Sequence, residues 1–338
     1  ASSTCRRNKK PQPKTGSVTK KFPTPSFRNT WKIMTETTSK YYAHGKLLLT
    51  GEYLILQGAK ALALPLKLGQ TMIVTPGYKI SRLTWQAFNP NVPWFSCEFQ
   101  LPDFNIIRST DSEKANLLKK IFETIQQLNP SFPIEKGFSI ETKLEFEPQW
   151  GMGSSSTLIA NLAKWTNVGP YQLNELIFKG SGYDIACAGA DGPVFYRKGE
   201  KPAPVNPDLP FEDRLFFVYS GTKKNTRQGI ERFQNTKTAI SNEICKIDAI
   251  SENISQAKTL DDFQQILVEH EKIISEIIDE QPVQQKYFQD FNGVVKSLGA
   301  WGGDFYLAAS SMNEAATKNY FSKKGLQTIF NWKELILT

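Results

Sequence analysis

The chain has 338 residues, enough for about two domains, and its 40% hydrophobic and 22% charged content is that of a globular protein with a sizeable core. Its net charge of +8 does not mark a nucleic-acid binder. Nine of the 41 Lys/Arg residues fall in residues 1–33, which hold no acid, and the body carries 32 basic against 33 acidic residues; a nucleic-acid footprint belongs on the folded domain. The four cysteines (Cys5, Cys97, Cys187, Cys245) show no paired spacing, and His44 and His270 are the only histidines, which argues against zinc or a disulfide framework. That cysteine usage fits a reducing, cytoplasmic compartment. No apolar run approaches the ~20 residues of a membrane span, so no membrane partner is expected.

Residues 1–33 are rich in Ser, Thr, Pro, Lys and Arg and lack any packing period, which predicts a disordered basic extension. Met34 then reads as a fresh start, with a basic, acid-free targeting segment as the alternative. From Tyr41 to Ala59, apolar runs surround Gly45-Lys46 and Gly51-Glu52-Tyr53. Lys46 and Glu52 either pair or snorkel at strand ends, or Lys46 faces a phosphate in a cleft. Residues Ala61–Thr75 and Leu83–Leu101 are β-leaning and read as strands of one sheet. Their aromatics Trp85, Phe88, Trp94 and Phe95 suit core packing better than stacking on a base. Leu117, Leu118, Ile121, Phe122, Ile125 and Leu128 line one face of a helix that Asn129-Pro130 stops.

Phe138, Ile140, Leu144 and Phe146 alternate as in a half-buried strand, and Leu158, Ile159, Leu162 and Trp165 fall on a helical face. Between them lies Gly151-Met152-Gly153-Ser154-Ser155-Ser156. Glycines permit close approach of backbone, and serines at a helix start sit beside free N–H groups and the positive end of the dipole. The stretch is either an anion site or a plain serine-capped junction; it is not a P-loop, because no Gly-Lys-Ser/Thr follows at the required spacing. A short helical pattern around Tyr171–Phe178 precedes Gly180-Ser181-Gly182-Tyr183-Asp184, where the Asp is either a helix cap or a presented carboxylate. Leu215–Tyr219 reads as a strand running into Ser220–Arg227. There Lys223, Lys224 and Arg227 form either an exposed loop or a grip on a phosphorylated substrate.

Ile240, Ile244, Ile247 and Ile254 mark a long helix. Thr259–Asp262 resembles a capping box opening a second, on whose apolar face His270 is structural. Lys296-Ser297-Leu298-Gly299-Ala300-Trp301-Gly302-Gly303-Asp304 precedes a strand, Phe305–Ala309. A helix over Asn313–Ser322 and a last strand over Leu326–Trp332 complete the chain.

Three of these stretches resemble, in order, the motifs of the GHMP kinases. His44-Gly-Lys-Leu-Leu-Leu-Thr-Gly-Glu-Tyr53 is similar to the first motif, with His44 in place of the usual Pro. Gly151-Met-Gly-Ser-Ser155 is similar to the second, with Met152 in the Leu position, about a hundred residues on. Lys296–Asp304 is similar to the third, with Trp301 in place of its first triplet glycine, where the ring would narrow the substrate pocket. Gly-Ser-Gly-Tyr-Asp184 is close to the phosphomevalonate kinase variant of the catalytic-Asp segment, although the span from Ser155 to Asp184 is shorter than that family's. The resemblance covers roughly residues 40–330.

It implies an α+β, two-domain GHMP kinase fold. A ribosomal-protein-like N-terminal α/β domain (34–200) would bind ATP, and a ferredoxin-like C-terminal domain (201–338) would complete the cleft. It implies ATP-dependent transfer to a small molecule, most of all a mevalonate-pathway intermediate. The alternatives are a mevalonate or sugar-type GHMP kinase, or a catalytically inactive nucleotide-binding homologue. Implied site residues are Lys46 and Asp184 for catalysis and Gly151, Gly153, Ser154, Ser155 and Ser156 for the nucleotide. Ser155 and, weakly, Glu175 would meet Mg2+; Tyr53, Gly182, Tyr183, Lys223, Lys224 and Gly302 would meet the substrate. The expected partners are a small-molecule substrate, possibly phosphorylated, and at most a second copy, as monomer or homodimer.

Overall fold

The computed structural model describes residues 37–77, 81–90, 92–221, 233, 240–299, 301 and 304–338. The basic extension and Met34 lie outside the described residues. Residues 36–338 gather into one compact unit.

Ser39–Leu48 (β1) and Ala61–Pro76 (β2) form an antiparallel pair, with residues 61–66 buried without a break. The expected sheet over Leu83–Leu101 is two antiparallel strands, Arg82–Asn89 (β3) and Val92–Gln100 (β4), followed by Asn105–Ser109 (β5). The helix Ser112–Leu128 (α1) is capped by Asp111, whose side chain accepts from the Lys114 N–H at 3.1 Å, and it stops at Asn129 before Pro130. Phe138–Leu144 (β6) runs parallel to β3 and antiparallel to β2. Then come the helices Ser154–Thr166 (α2), Pro170–Ile177 (α3) and Tyr183–Ala188 (α4), and the short strands Val194–Tyr196 (β7) and Ala203–Pro204 (β8). The first sheet runs β5-β4-β3-β6-β2-β7-β8, with β1 paired to β2.

Its core is aromatic. Phe122 of α1 is fully buried, stacks on Phe104 at 5.3 Å, and meets Trp85, Phe99 and Trp165 edge-on. Trp85 and Phe95 are buried here, as expected of core residues. Trp94 is 38% exposed and lies under the Lys114 ammonium.

The second sheet is antiparallel, in the order β10-β11-β9-β12. It comprises Leu215–Tyr219 (β9), Val294–Ser297 (β10), Phe305–Ala309 (β11) and Ile329–Asn331 (β12). Between β9 and β10 lie the helices Ser241–Gln256 (α5), Leu260–Ile278 (α6) and Val283–Tyr287 (α7). Thr259 caps α6 by accepting from the Asp262 N–H at 3.1 Å. Glu314–Lys323 (α8) follows β11. The last strand is shorter than expected. Trp332 begins a closing helix, Trp332–Leu335 (α9), because Asn331 and Glu334 form a capping box there. One hydrophobic cluster joins the sheets, with Leu62, Leu64 and Leu66 of β2 meeting Phe217 of β9, Leu307 of β11 and Trp332.

Phe122→Ala is expected to cost about 3–5 kcal/mol, because it removes a ring with four aromatic neighbours and leaves a cavity. The urea midpoint reads this, and a loss under about 1 kcal/mol would show that the site collapses around the gap.

Candidate active site

Lys46 lies on β1 just past a register shift in its pairing with β2. Its backbone N–H donates to the Met152 carbonyl at 2.9 Å, and its Nζ donates to the Gly151 carbonyl at 2.7 Å. The strand and the turn before α2 are thus tied twice, by main chain and by ammonium. Two glycines make this approach possible. A Cβ on Gly153 (φ 94°) would meet Ser156 Oγ at 2.7 Å and Lys46 Cγ at 3.1 Å, and one on Gly151 (φ 69°) would meet Asp304 Oδ2 at 2.1 Å. The space around these glycines is therefore occupied by Lys46 and by a carboxylate from the third motif.

Gly153 is the N-cap of α2, without a side-chain capping bond. By helix geometry the N–H groups of Ser154, Ser155 and Ser156 lack intrahelical acceptors and gather positive potential at this end. Ser155 is exposed, whereas Ser156 is buried and donates its hydroxyl to the Gly153 carbonyl at 2.9 Å. The turn thus offers two glycines, a helix start and one exposed hydroxyl beside a lysine, an arrangement suited to a polyanion.

Asp184 stands in the first turn of α4, and the cap position belongs to Gly182 (φ 94°), which makes no side-chain capping bond. The Asp184 carboxylate accepts from the Ile185 N–H at 3.1 Å. Burial raises its pKa, with the Lys46 charge opposing. Lys46 shows the reverse balance. Burial disfavours its ammonium, but Tyr183, Asp304 and Asp184 outweigh that and lift its pKa above that of an ordinary lysine. Burial also lifts the Tyr183 phenol, so at neutral pH that group is uncharged and the two carboxylates hold the cation. The Lys46 Nζ lies 5.6 Å from the Tyr183 ring centroid. A persistent cation and a carboxylate of raised pKa share one site, the pairing expected of a charge stabiliser and a general base.

Among the predicted site residues, Lys46, Gly151, Gly153, Tyr183 and Asp184 therefore come together, with the start of α2 adjoining them. Glu175 is exposed on α3 and lines a separate cavity with Tyr171 and the 180–182 turn. Tyr53 (φ 61°) is buried against Phe233, 5.8 Å between ring centroids, in an apolar cluster with Trp301 and isoleucines of α5 and α6. Lys223, Lys224, Arg227 and Gly302 lie outside the described residues. Among the described residues no group of three His, Cys, Asp or Glu side chains is placed to hold a metal. Among the described residues, Ser155 in the first turn of α2, Asp304 against Gly151 and Asp184 within electrostatic reach of Lys46 are oxygen donors around this turn. That set fits a Mg2+ carried mainly by phosphate oxygens, since this ion takes few protein ligands.

Sequence reasoning missed the role of Asp304. Its place at the end of the third motif is visible, but its contact with Gly151 is a tertiary event. It also missed a buried charge cluster behind the site. Glu52 is 1% exposed and pairs with fully buried Lys296 at 2.5 Å. His270 Nε2 accepts from the Gly51 N–H at 3.2 Å and lies 3.0 Å from Glu52 Oε2. Burial and Lys296 lower the His270 pKa, so the imidazole is neutral, consistent with a structural role. Glu271, next along α6, accepts from the Trp301 indole at 3.0 Å and lies 3.9 Å from Lys296. The first motif, α6 and the third motif are thereby cross-linked.

No family model matches the sequence, and no curated protein does. Solved structures do. Mevalonate kinase of Methanococcus jannaschii superposes with a TM-score of 0.68 at 16% identity, over 90% of this chain and 99% of that one. A Streptococcus pneumoniae phosphomevalonate kinase complex with phosphomevalonate and AMPPNP gives 0.65 at 16% identity, over 87% and 99%. Lactococcus lactis galactokinase with galactose gives 0.63 at 15% identity, over 90% and 94%. These are GHMP superfamily proteins, and the chain has their α+β fold.

Burial first, and then the Glu52 charge, raise Glu271 from 4.5 to about 7 against the pull of Lys296. The folded state therefore binds that proton more tightly than the unfolded chain. The stability it lends is full below the ordinary carboxylate range and is lost as pH rises through about 7. Glu271→Gln, which keeps an acceptor for Trp301, should flatten the urea midpoint between roughly pH 5 and 8, removing a slope worth on the order of 3 kcal/mol. An unchanged pH slope in the variant would place the titration elsewhere.

Proposed function

We propose that this chain is an ATP-dependent kinase that transfers the γ-phosphoryl group to a hydroxyl of a small molecule. A mevalonate-pathway intermediate, 5-phosphomevalonate first, is the leading acceptor. The observation that carries this reading is Lys46, held by the Gly151 carbonyl at the start of α2 with Asp184 beside it. Two of the neighbours are kinases of mevalonate and phosphomevalonate, and one of these was solved with AMPPNP.

The α2 start, through Gly151, Gly153 and the N–H groups of Ser154, Ser155 and Ser156, would receive the ATP phosphates. Ser155 would lend its hydroxyl to Mg2+, which supplies charge neutralisation to the phosphates when bound. Asp184 would take the acceptor's hydroxyl proton as the acceptor oxygen bonds to the γ-phosphorus and the bond to the ADP oxygen breaks. Burial raises its pKa against the opposing Lys46 charge, which makes it a stronger proton acceptor than an ordinary aspartate. Lys46, charged throughout, would stabilise the transferring group, since phosphoryl transfer depends chiefly on positioning and electrostatics. Tyr183 and Gly302 are proposed for the acceptor, whereas Tyr53 packs in the apolar cluster with Trp301 and Gly182 faces the Tyr171 and Tyr196 rings. Lys223, Lys224 and Arg227 are proposed for the acceptor's phosphate, a preference the Gly-Ser-Gly-Tyr-Asp segment also favours.

A coupled assay of ADP release against mevalonate, 5-phosphomevalonate and a sugar panel tests the acceptor. Preference for an unphosphorylated acceptor would move the reading to a mevalonate or sugar kinase. Asp184→Asn is expected to lower turnover ~10²–10⁴-fold with ATP affinity retained. Asn keeps an oxygen that can accept from the Ile185 N–H, so turnover within a few-fold of wild type would return Asp184 to a local structural part.

A further inference from the structure

On one side of the Gly180–Gly182 turn lies a cavity of about 520 Å³, within the ~300–1,000 Å³ typical of small-molecule sites. Its lining draws on α3, the turn itself and residues 196–202. Among the described residues it includes none of Lys46, Asp184 or the 151–156 turn. It is therefore not the space in which the phosphates are proposed to sit.

Two tyrosines form its apolar surface. The rings of Tyr171 and Tyr196 lie nearly parallel, 8° between planes and 6.4 Å between centroids. Tyr196 is buried and fixed, its hydroxyl donating to the Ser181 carbonyl at 3.0 Å. Tyr171 is 40% exposed and offers its ring to solvent. The turn comes so close to both rings that a Cβ on Gly182 would meet the Tyr196 hydroxyl at 2.6 Å and Tyr171 Cδ1 at 3.4 Å.

The polar part of the lining selects against net charge. Glu175 and Glu200 are balanced by Lys198 and Lys201, so a strongly anionic or cationic ligand gains no net attraction. The side-chain amides of Gln172 and Asn174 add paired donors and acceptors. Flat aromatic faces suit the C–H side of a pyranose ring. Carboxylates, ammonium groups and amides around the edge suit its hydroxyls, each of which both donates and accepts. A polyphosphate would find no surplus of positive charge, and a purely apolar ligand would leave these polar groups without partners.

We infer that this cavity is a second small-molecule site, distinct from the phosphate-binding turn, that takes a neutral carbohydrate of monosaccharide size with its ring face on Tyr171. The site adjoins the reactive centre through the backbone, since the turn forming its wall runs directly into Tyr183 and Asp184.

Saturation-transfer NMR on the full chain without nucleotide tests this independently of any kinase activity. The probes are the methyl glycosides of glucose, galactose and mannose. Saturation at ring C–H protons of at least one glycoside is expected. Tyr171→Ala should weaken its binding about tenfold, as expected for loss of a stacked contact, and Tyr171→Phe should retain it. Inorganic phosphate should not displace the sugar. Circular dichroism checks that the variants fold, which the exposure of Tyr171 favours. Absence of saturation for all three glycosides, wild-type affinity in Tyr171→Ala, or displacement by phosphate would overturn the inference.

Discussion

The bond from Lys46 Nζ to the Gly151 carbonyl, with the parallel bond from the Lys46 backbone to Met152, is the contact on which the site depends. It joins residues more than a hundred positions apart and fixes the start of α2 against β1. A buried ammonium needs compensation, and here a carbonyl dipole and two carboxylates provide it. The same compensation constrains the turn. Gly151 has no room for a side chain because Asp304 fills the space, and Gly153 has little because Lys46 and Ser156 do. Sequence, backbone conformation and electrostatics are thus three views of one packing problem.

Around that centre the two sheets are held together by more than apolar contact. The cluster from Leu62 to Trp332 supplies the shared core. The Glu52–Lys296 pair, with His270 and Glu271, links the first motif to the third through a fully buried ion pair. Such pairs gain little net stability over well-packed apolar residues, but losing one partner strands a buried charge. Here they tie the turn after β1, α6 and β10 to one another. Lys296 fixes β10, Glu52 fixes the turn after β1, and Glu271 holds Trp301 beside Tyr53. Trp301 is thereby part of a packed wall, which accounts for a bulky ring where the resembling motif carries glycine.

Much of this was legible in the sequence because it is local. Alternation along 138–146, the apolar stripe of α1 with its Asn129-Pro130 stop, and the glycine-serine turn each announce themselves within a few residues. Lys46 and Asp184 stood out as candidates because glycines precede them, Gly45 where strand β1 closely approaches the Leu68 and Met152 carbonyls and Gly182 in a left-handed turn. Asp304 was visible as a residue but not as a neighbour of Gly151, because that contact depends on how the third motif meets the second. The Glu52–Lys296 pair is hidden for the same reason. Exposed Glu175 shows a different limit, since spacing along the chain does not reveal which cavity a helix face will line. The closing helix at Trp332 was obscured because apolar residues from Leu326 onward imitate a strand, although Asn331 and Glu334 carried the capping signal.

The central claim is that Lys46 and the start of α2 form the phosphate end of a nucleotide site. Calorimetric titration of wild type and Lys46→Met with Mg·AMPPNP and, separately, with adenosine tests it most directly. The account predicts that Lys46→Met weakens AMPPNP binding by at least about tenfold, the loss of roughly 1.4 kcal/mol of charge-assisted contact, while adenosine binds both proteins alike. Equal AMPPNP affinity in a folded Lys46→Met variant would contradict it.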